Sequence, residues 1–149
     1  MSLWSDVKAA LTFRFRRTRR TRLQDRGGEK VALGNRGEQV AERFLKRSGY
    51  RVLGRNVALR FGELDLVVEA PEKTIVAVEV KSGRYHPKYR PEMHVTAAKR
   101  RRLVRLLRAY LKLRGWTDRP GRVDVVAVVF FDDDREPEVR HHVNVTVRR

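Results

Sequence analysis

The sequence contains no cysteine. Disulfides, thiolate metal ligands and a cysteine nucleophile are therefore excluded. The absence suits a reducing compartment, and a cytoplasmic location is the expectation. Long apolar runs are also lacking. The longest, VDVVAVVFF (123–131), is about half the length a membrane helix needs. At the N-terminus a short apolar part precedes the basic residues, the reverse of a secretory signal, so neither an export signal nor a membrane partner is expected. Acidic residues are scarce: 18 Asp and Glu stand against 35 Lys and Arg, a net charge of +17. Such an excess repels itself and asks for a polyanionic partner, nucleic acid before anionic membrane.

Several chemistries find no support. GNRGE (34–38) lacks the spacing of a phosphate-binding glycine loop, and the contiguous Asp132, Asp133 and Asp134 do not fit a calcium loop. His141 and His142 are neighbours, so a strand would point them to opposite faces. No Ser-His-Asp arrangement stands out.

The 149 residues are one domain's worth. Residues 1–30, with the run RFRRTRRTR, have too few apolar positions to bury and read as a basic tail, disordered or loosely helical. The α/β domain is expected over 31–149. Val40, Ala41, Phe44 and Leu45 form one helical stripe, with Asn35 as N-cap, Glu38 three residues later and Gly49 as the stop. Strands follow at YRVL (50–53), GELDLVVEA (62–70) and TIVAVEVKS (74–82), the last two a hairpin. RYHPKYRPEMH reads as a loop. The next helix buries Leu103, Leu106, Leu107, Tyr110 and Leu111 and stops at Gly115. Strands at 122–131 and 138–147, the latter an edge, complete a mixed sheet of about five strands flanked by helices.

Two charges in a valine-rich strand carry the chemistry. In TIVAVEVKS, Ala77, Glu79 and Lys81 share one face. In GELDLVV, Leu64, Leu66 and Val68 share one face, and Glu63, Asp65 and Val67 the other. A hairpin symmetric about Glu72 sets Asp65 opposite Glu79 and Glu63 opposite Lys81. Like charges so placed destabilise a sheet unless a proton, a base or a cation intervenes. Asp65 and Glu79 suit one Mg²⁺, with Mn²⁺ as a substitute, because a hard ion takes oxygen ligands and keeps several waters. Lys81 stands where it could position a water or stabilise negative charge. The plainer reading is a cross-strand ion pair between Glu63 and Lys81. Glu38, on its residues alone, is a first-turn carboxylate favoured by the helix dipole.

Lys99, Arg100, Arg101, Arg105 and Arg108 line one face of the second helix, where they could follow phosphates. Arg84, Tyr85 and Lys88 lie in the basic, aromatic loop, where exposed bases could stack. A solvated face and an unstructured connector are the alternatives.

Asp65 followed by Glu79-Val80-Lys81 resembles the PD-(D/E)xK signature of restriction-endonuclease-like nucleases, although Leu64 replaces the proline. The runs GNRGEQVAERFLKRSGYRVLGRN, FGELDLVV, VAVEVKSG, VTAAKRRRLVRLLRAYL and RVDVVAV, in that order, resemble the YraN family, a widespread bacterial family of predicted nuclease-like proteins. The likeness covers about Val31 to Val145. It implies a restriction-endonuclease-like α/β fold related to archaeal Holliday junction resolvases. Asp65 and Glu79 would be metal carboxylates, Lys81 the catalytic lysine, and Glu38 a further metal or water ligand. It further implies an Mg²⁺-dependent endonuclease acting on DNA, branched or single-stranded, before RNA. Junction resolvases work as symmetric dimers, which raises a homodimer here. A nucleic-acid-binding protein that keeps the fold without catalysis is the alternative, and a module binding an acidic protein a third.

Overall fold

The computed structural model describes residues 25–146. Most of the basic tail therefore lies outside the described residues. Helix α1 runs Asp25–Arg47, then β1 Arg51–Leu59, β2 Gly62–Glu69 and β3 Ile75–Arg84. A short 3₁₀ turn, Pro91–His94, leads to α2, Ala97–Arg114, followed by β4 Gly121–Phe130 and β5 Glu138–His142. The strands form one sheet in the order β1-β2-β3-β4-β5. Only β3 and β4 are parallel, with α2 as their crossover; the other neighbours are antiparallel. This mixed five-strand sheet with two helices is the expected class and agrees with a restriction-endonuclease-like fold.

The helices cover opposite faces. Ala41 and Leu45 of α1, both fully buried, pack on Leu66, Val68, Val76, Val78, Val126 and Val128. Leu103, Leu106, Leu107, Tyr110 and Leu111 of α2 pack on Val67, Ile75, Ala77 and Val123. Both stripes are those that helical periodicity selects. Thr96 caps α2, its side chain accepting from the Lys99 N–H, and Gly115 ends it at φ 69°, the left-handed region glycine enters without strain. None of the described helices is long and apolar enough to cross a membrane.

Three boundaries differ from expectation. Helix α1 begins at Asp25, so Asn35 is interior rather than an N-cap; Glu29 holds the added turns down by bonding Arg84 at 2.7 Å. Strand β1 continues past Leu53 to Leu59 through a register shift between Val52 and Gly54. Strand β5 stops at His142, because Asn144 turns back at φ 54° and donates its N–H to Asp124 at 2.8 Å.

Asp124 centres a buried polar network on the α1 side. It is fully buried and accepts from Arg122 at 3.0 Å, from the Asn144 N–H, and bonds His141 at 2.9 Å. Arg122 also reaches the Tyr50 hydroxyl at 3.0 Å and pairs with Glu72 in the β2–β3 turn. Burial pushes the Asp124 carboxyl up, but the bonds from His141, Arg122 and the Asn144 N–H outweigh it and hold it below its ordinary range.

Candidate functional site

The β2–β3 hairpin has the expected register. Leu66 faces Val78, Val67 faces Ala77 and Val68 faces Val76, so the hairpin is centred on Glu72 and the next positions outward are Asp65 and Glu79. The ladder's last pair is Leu66–Val78, directly before the two carboxylates. There Asp65 turns its side chain to the neighbouring strand, and its Oδ2 accepts the Val80 N–H at 2.8 Å.

One predicted face is broken. Leu64 packs in the α2-side cluster, whereas Leu66 and Val68 pack on the α1 side. The reason lies in β1: Asn56, at φ 46°, falls between the pairs Arg55–Leu66 and Val57–Leu64. A left-handed residue inside a strand twists the ladder, so side chains on either side of Asp65 turn to different cores. Asp65 thus stands at a twist, between the two layers.

Glu79 is 3% exposed. Its Oε1 is held by two ammonium groups, Lys81 Nζ at 3.0 Å and Lys99 Nζ at 3.3 Å. Its Oε2 is buried and has no hydrogen-bond partner among the described residues. A carboxylate oxygen so placed has been stripped of water without compensation, which is costly unless another group occupies the position. Asp65 is half-buried beside it. Burial pushes its carboxyl up and the charges of Glu79 and Glu38 push further, while the Val80 N–H and Lys99 pull back only in part; it titrates at about 7. A hard cation would relieve both groups.

Glu38 approaches from α1. Burial raises its carboxyl, the Asn56 side chain lowers it, and the charges of Glu63 and Glu79 raise it again. With the Asn56 carboxamide turned to donate, its nitrogen lies 3.3 Å from both Glu38 Oε2 and Glu63 Oε1. Glu38 therefore stands behind the pair: among the described residues, no three His, Asp or Glu side chains converge as a ready metal cage. Lys81 turns to Glu79, so the expected pair of Glu63 with Lys81 is replaced.

Gly37 sets how near Glu38 comes. A Cβ there would lie 2.5 Å from Ser82 Cβ of β3, and Ser82 donates to the Leu33 carbonyl at 3.2 Å. Helix and strand touch backbone to side chain at this point. Gly37→Ala is expected to destabilise the chain by about 1–2 kcal/mol, the overpacking cost less the helix-propensity gain. In a Ser82→Gly background the same change should become neutral or stabilising. Urea melts of the four proteins decide it; additive effects would mean that the two residues are uncoupled.

The basic residues divide. Lys99 leaves the expected phosphate face and joins the site. Arg100 is partly exposed, and Arg101, Arg105 and Arg108 are exposed on α2. Arg84 ends β3 and is engaged by Glu29 at 2.7 Å and Asp132 at 2.9 Å, so its charge is already answered. Tyr85 is exposed and leans on Phe131. Lys88 is exposed, its N–H bonded to His86 Nδ1. This segment is not a free connector: Glu92 grips Arg140 of β5 through two bonds, at 2.7 and 3.0 Å. The sequence reading passed over Gly37 and Asn56. A glycine inside a helical stripe was the available signal for the first; nothing in an Asn marks the second.

The sequence matches Uncharacterised protein family UPF0102 over residues 37–128. It is 47% identical over 103 residues to a UPF0102 protein of Symbiobacterium thermophilum, covering 69% of this chain and 86% of that one. It is 38% identical over 112 residues to one of Pelobacter propionicus, covering 74% and 79%. The UPF0102 protein of Geobacter sulfurreducens is also 38% identical over 112 residues, covering 75% and 86%.

Proposed function

The chain belongs to protein family UPF0102, the YraN family, and on that footing we propose that it is a metal-dependent endonuclease acting on nucleic acid phosphodiesters. The observation that carries this reading is the Glu79 carboxylate, buried with one oxygen between two lysines and the other without a partner among the described residues, next to an Asp65 pushed up to about 7 by burial and by Glu79. Two neighbouring carboxylates suit Mg²⁺ or Mn²⁺, hard ions that take oxygen ligands. Asp65 and Glu79 would hold the ion, with Glu38 reaching it through a water. When bound, it supplies positive charge and a more acidic water.

The chain's own groups do the rest. Lys81 and Lys99, both fixed on Glu79, set two ammonium charges where negative charge gathers on the phosphate as water adds and the ester oxygen leaves. The products are a hydroxyl end and a phosphomonoester end. The exposed arginines of α2 supply salt-sensitive affinity for the backbone. DNA is placed ahead of RNA, a homodimer would pair two such sites, and the setting is the bacterial cytoplasm.

The test is cleavage of branched, single-stranded and duplex DNA by the full chain with Mg²⁺ or Mn²⁺. Cutting that needs the metal is expected. If the wild type cuts no better than a chain carrying Asp65→Ala and Glu79→Ala, the catalytic reading fails and binding alone remains. A second measurement does not depend on turnover. Saturating Mn²⁺ at pH 8 should raise the melting temperature by roughly 5–10 °C, the effect of a ligand at about a hundred times its Kd. The rise should shrink at pH 5.5, where Asp65 holds its proton.

A further inference from the structure

The β1–β2 hairpin closes with Leu59 facing Gly62, leaving Arg60 and Phe61 as its tip. Phe61 is 70% exposed, and its backbone is anchored. Arg102 of α2 donates to the Phe61 carbonyl at 2.8 Å, and a Cβ at Gly62 would meet that guanidinium at 2.8 Å. Lys99, one helical turn before Arg102, bonds Glu79. A single turn of α2 therefore holds both the tip and the carboxylate site. The Arg60 guanidinium lies over the Phe61 ring, 5.5 Å from its centroid, so one face carries a positive charge while the ring stays largely open to solvent.

An exposed aromatic on an anchored backbone, with an arginine over one face, fits a nucleobase with its phosphate alongside. In an intact duplex, base faces are covered by their neighbours, so such a ring gains contact only where bases are unpaired. Phe61 precedes Asp65 by four residues, roughly 13 Å along a strand, a span that a few nucleotides of an unpaired strand can bridge. Resting on the nuclease reading above, we infer that Phe61 stacks on an unpaired base of a DNA strand a few nucleotides from the phosphate held at Asp65 and Glu79. The substrate class is single-stranded DNA or the unpaired arm of a branch. Arg102 is the positioning residue for the tip and offers its remaining N–H donors to the backbone.

The experiment measures binding in EDTA, so it stands whether or not the site cleaves. Fluorescence anisotropy compares a single-stranded oligonucleotide of about 20 nucleotides with a duplex of equal length, for the full chain and for Phe61→Ala and Phe61→Trp. Phe61→Ala should lose about 5- to 100-fold affinity for the single strand, as removal of one base–aromatic stack does, and should hold the duplex as the wild type does. Phe61→Trp should retain single-strand affinity. The inference is overturned if Phe61→Ala binds both DNAs like the wild type, or loses both equally. It is also overturned if its only effect is on self-association in sedimentation, which would make the tip a contact between copies of the chain. Cleavage by the wild type alongside any of these results would leave the nuclease reading intact and remove only the stacking role.

Discussion

Replacing Asp65 by Asn should cost about 10²–10³-fold in metal-dependent cleavage while making the metal-free protein more stable at pH 8. The two effects have one origin. In the folded chain the Asp65 carboxyl is pushed up to about 7, against an ordinary value of 3.8, by its partial burial and by the charge of Glu79. Between those values the folded state keeps a proton that the unfolded state has lost, so stability falls as pH rises through that window. Above it, the full penalty of the ionised group is present, roughly 2–4 kcal/mol. Asn can still accept the Val80 N–H but carries no charge, so the penalty is absent at every pH. Melts in EDTA should show the variant above the wild type at pH 8, by roughly 5–10 °C, and level with it near pH 4. A variant less stable than the wild type at pH 8 would mean that Asp65 is a structural anion and not a strained one.

Asp124→Ala is expected to be the most destabilising of these substitutions, at about 3–5 kcal/mol, the usual cost of removing one member of a buried ion pair. His141 and the Asn144 N–H would lose their bond to Asp124, and Arg122 would be left with the Tyr50 hydroxyl and Glu72 alone. The end of β5 should loosen as well, since the Asn144 bond terminates it. Because the Asp124 carboxyl is held low in the folded chain, its contribution is present above the unfolded pKa. It is lost as pH falls through the folded value. Urea titration at pH 7 reads the difference. A loss under about 1 kcal/mol would contradict a buried network of this strength.

The hairpin register was legible because strand alternation and a short turn determine it with few alternatives. Centring on Glu72 followed from the spacing of GELDLVV and TIVAVEVKS, and the observed pairs agree. The helical stripes were legible for the same reason: a period of 3.6 residues is local information. The start of α1 was not, because Asn35 and Glu38 imitate a cap and only the ion pair between Glu29 and Arg84 shows that the helix continues. The split between Leu64 and Leu66 depends on one φ angle in another strand. Lys99 belonged to a row of basic residues that composition cannot tell apart; helix docking alone selects it for Glu79. Phe61 passed unremarked in RFGEL, since one aromatic next to a glycine has no pattern until its exposure is seen.

The parallel joining of β3 to β4 has a consequence for how the chain assembles. A hairpin such as β2–β3 forms within about 1–10 μs and needs only its own turn. The β3–β4 pair must wait until the loop and the whole of α2 are in place, and such non-local contacts form slowly. The paired part of the hairpin, Leu66–Glu69 with Ile75–Val78, is therefore expected to form first. Its mouth, with Asp65 and Glu79, is expected to settle only when Lys99 arrives from the later half of the fold.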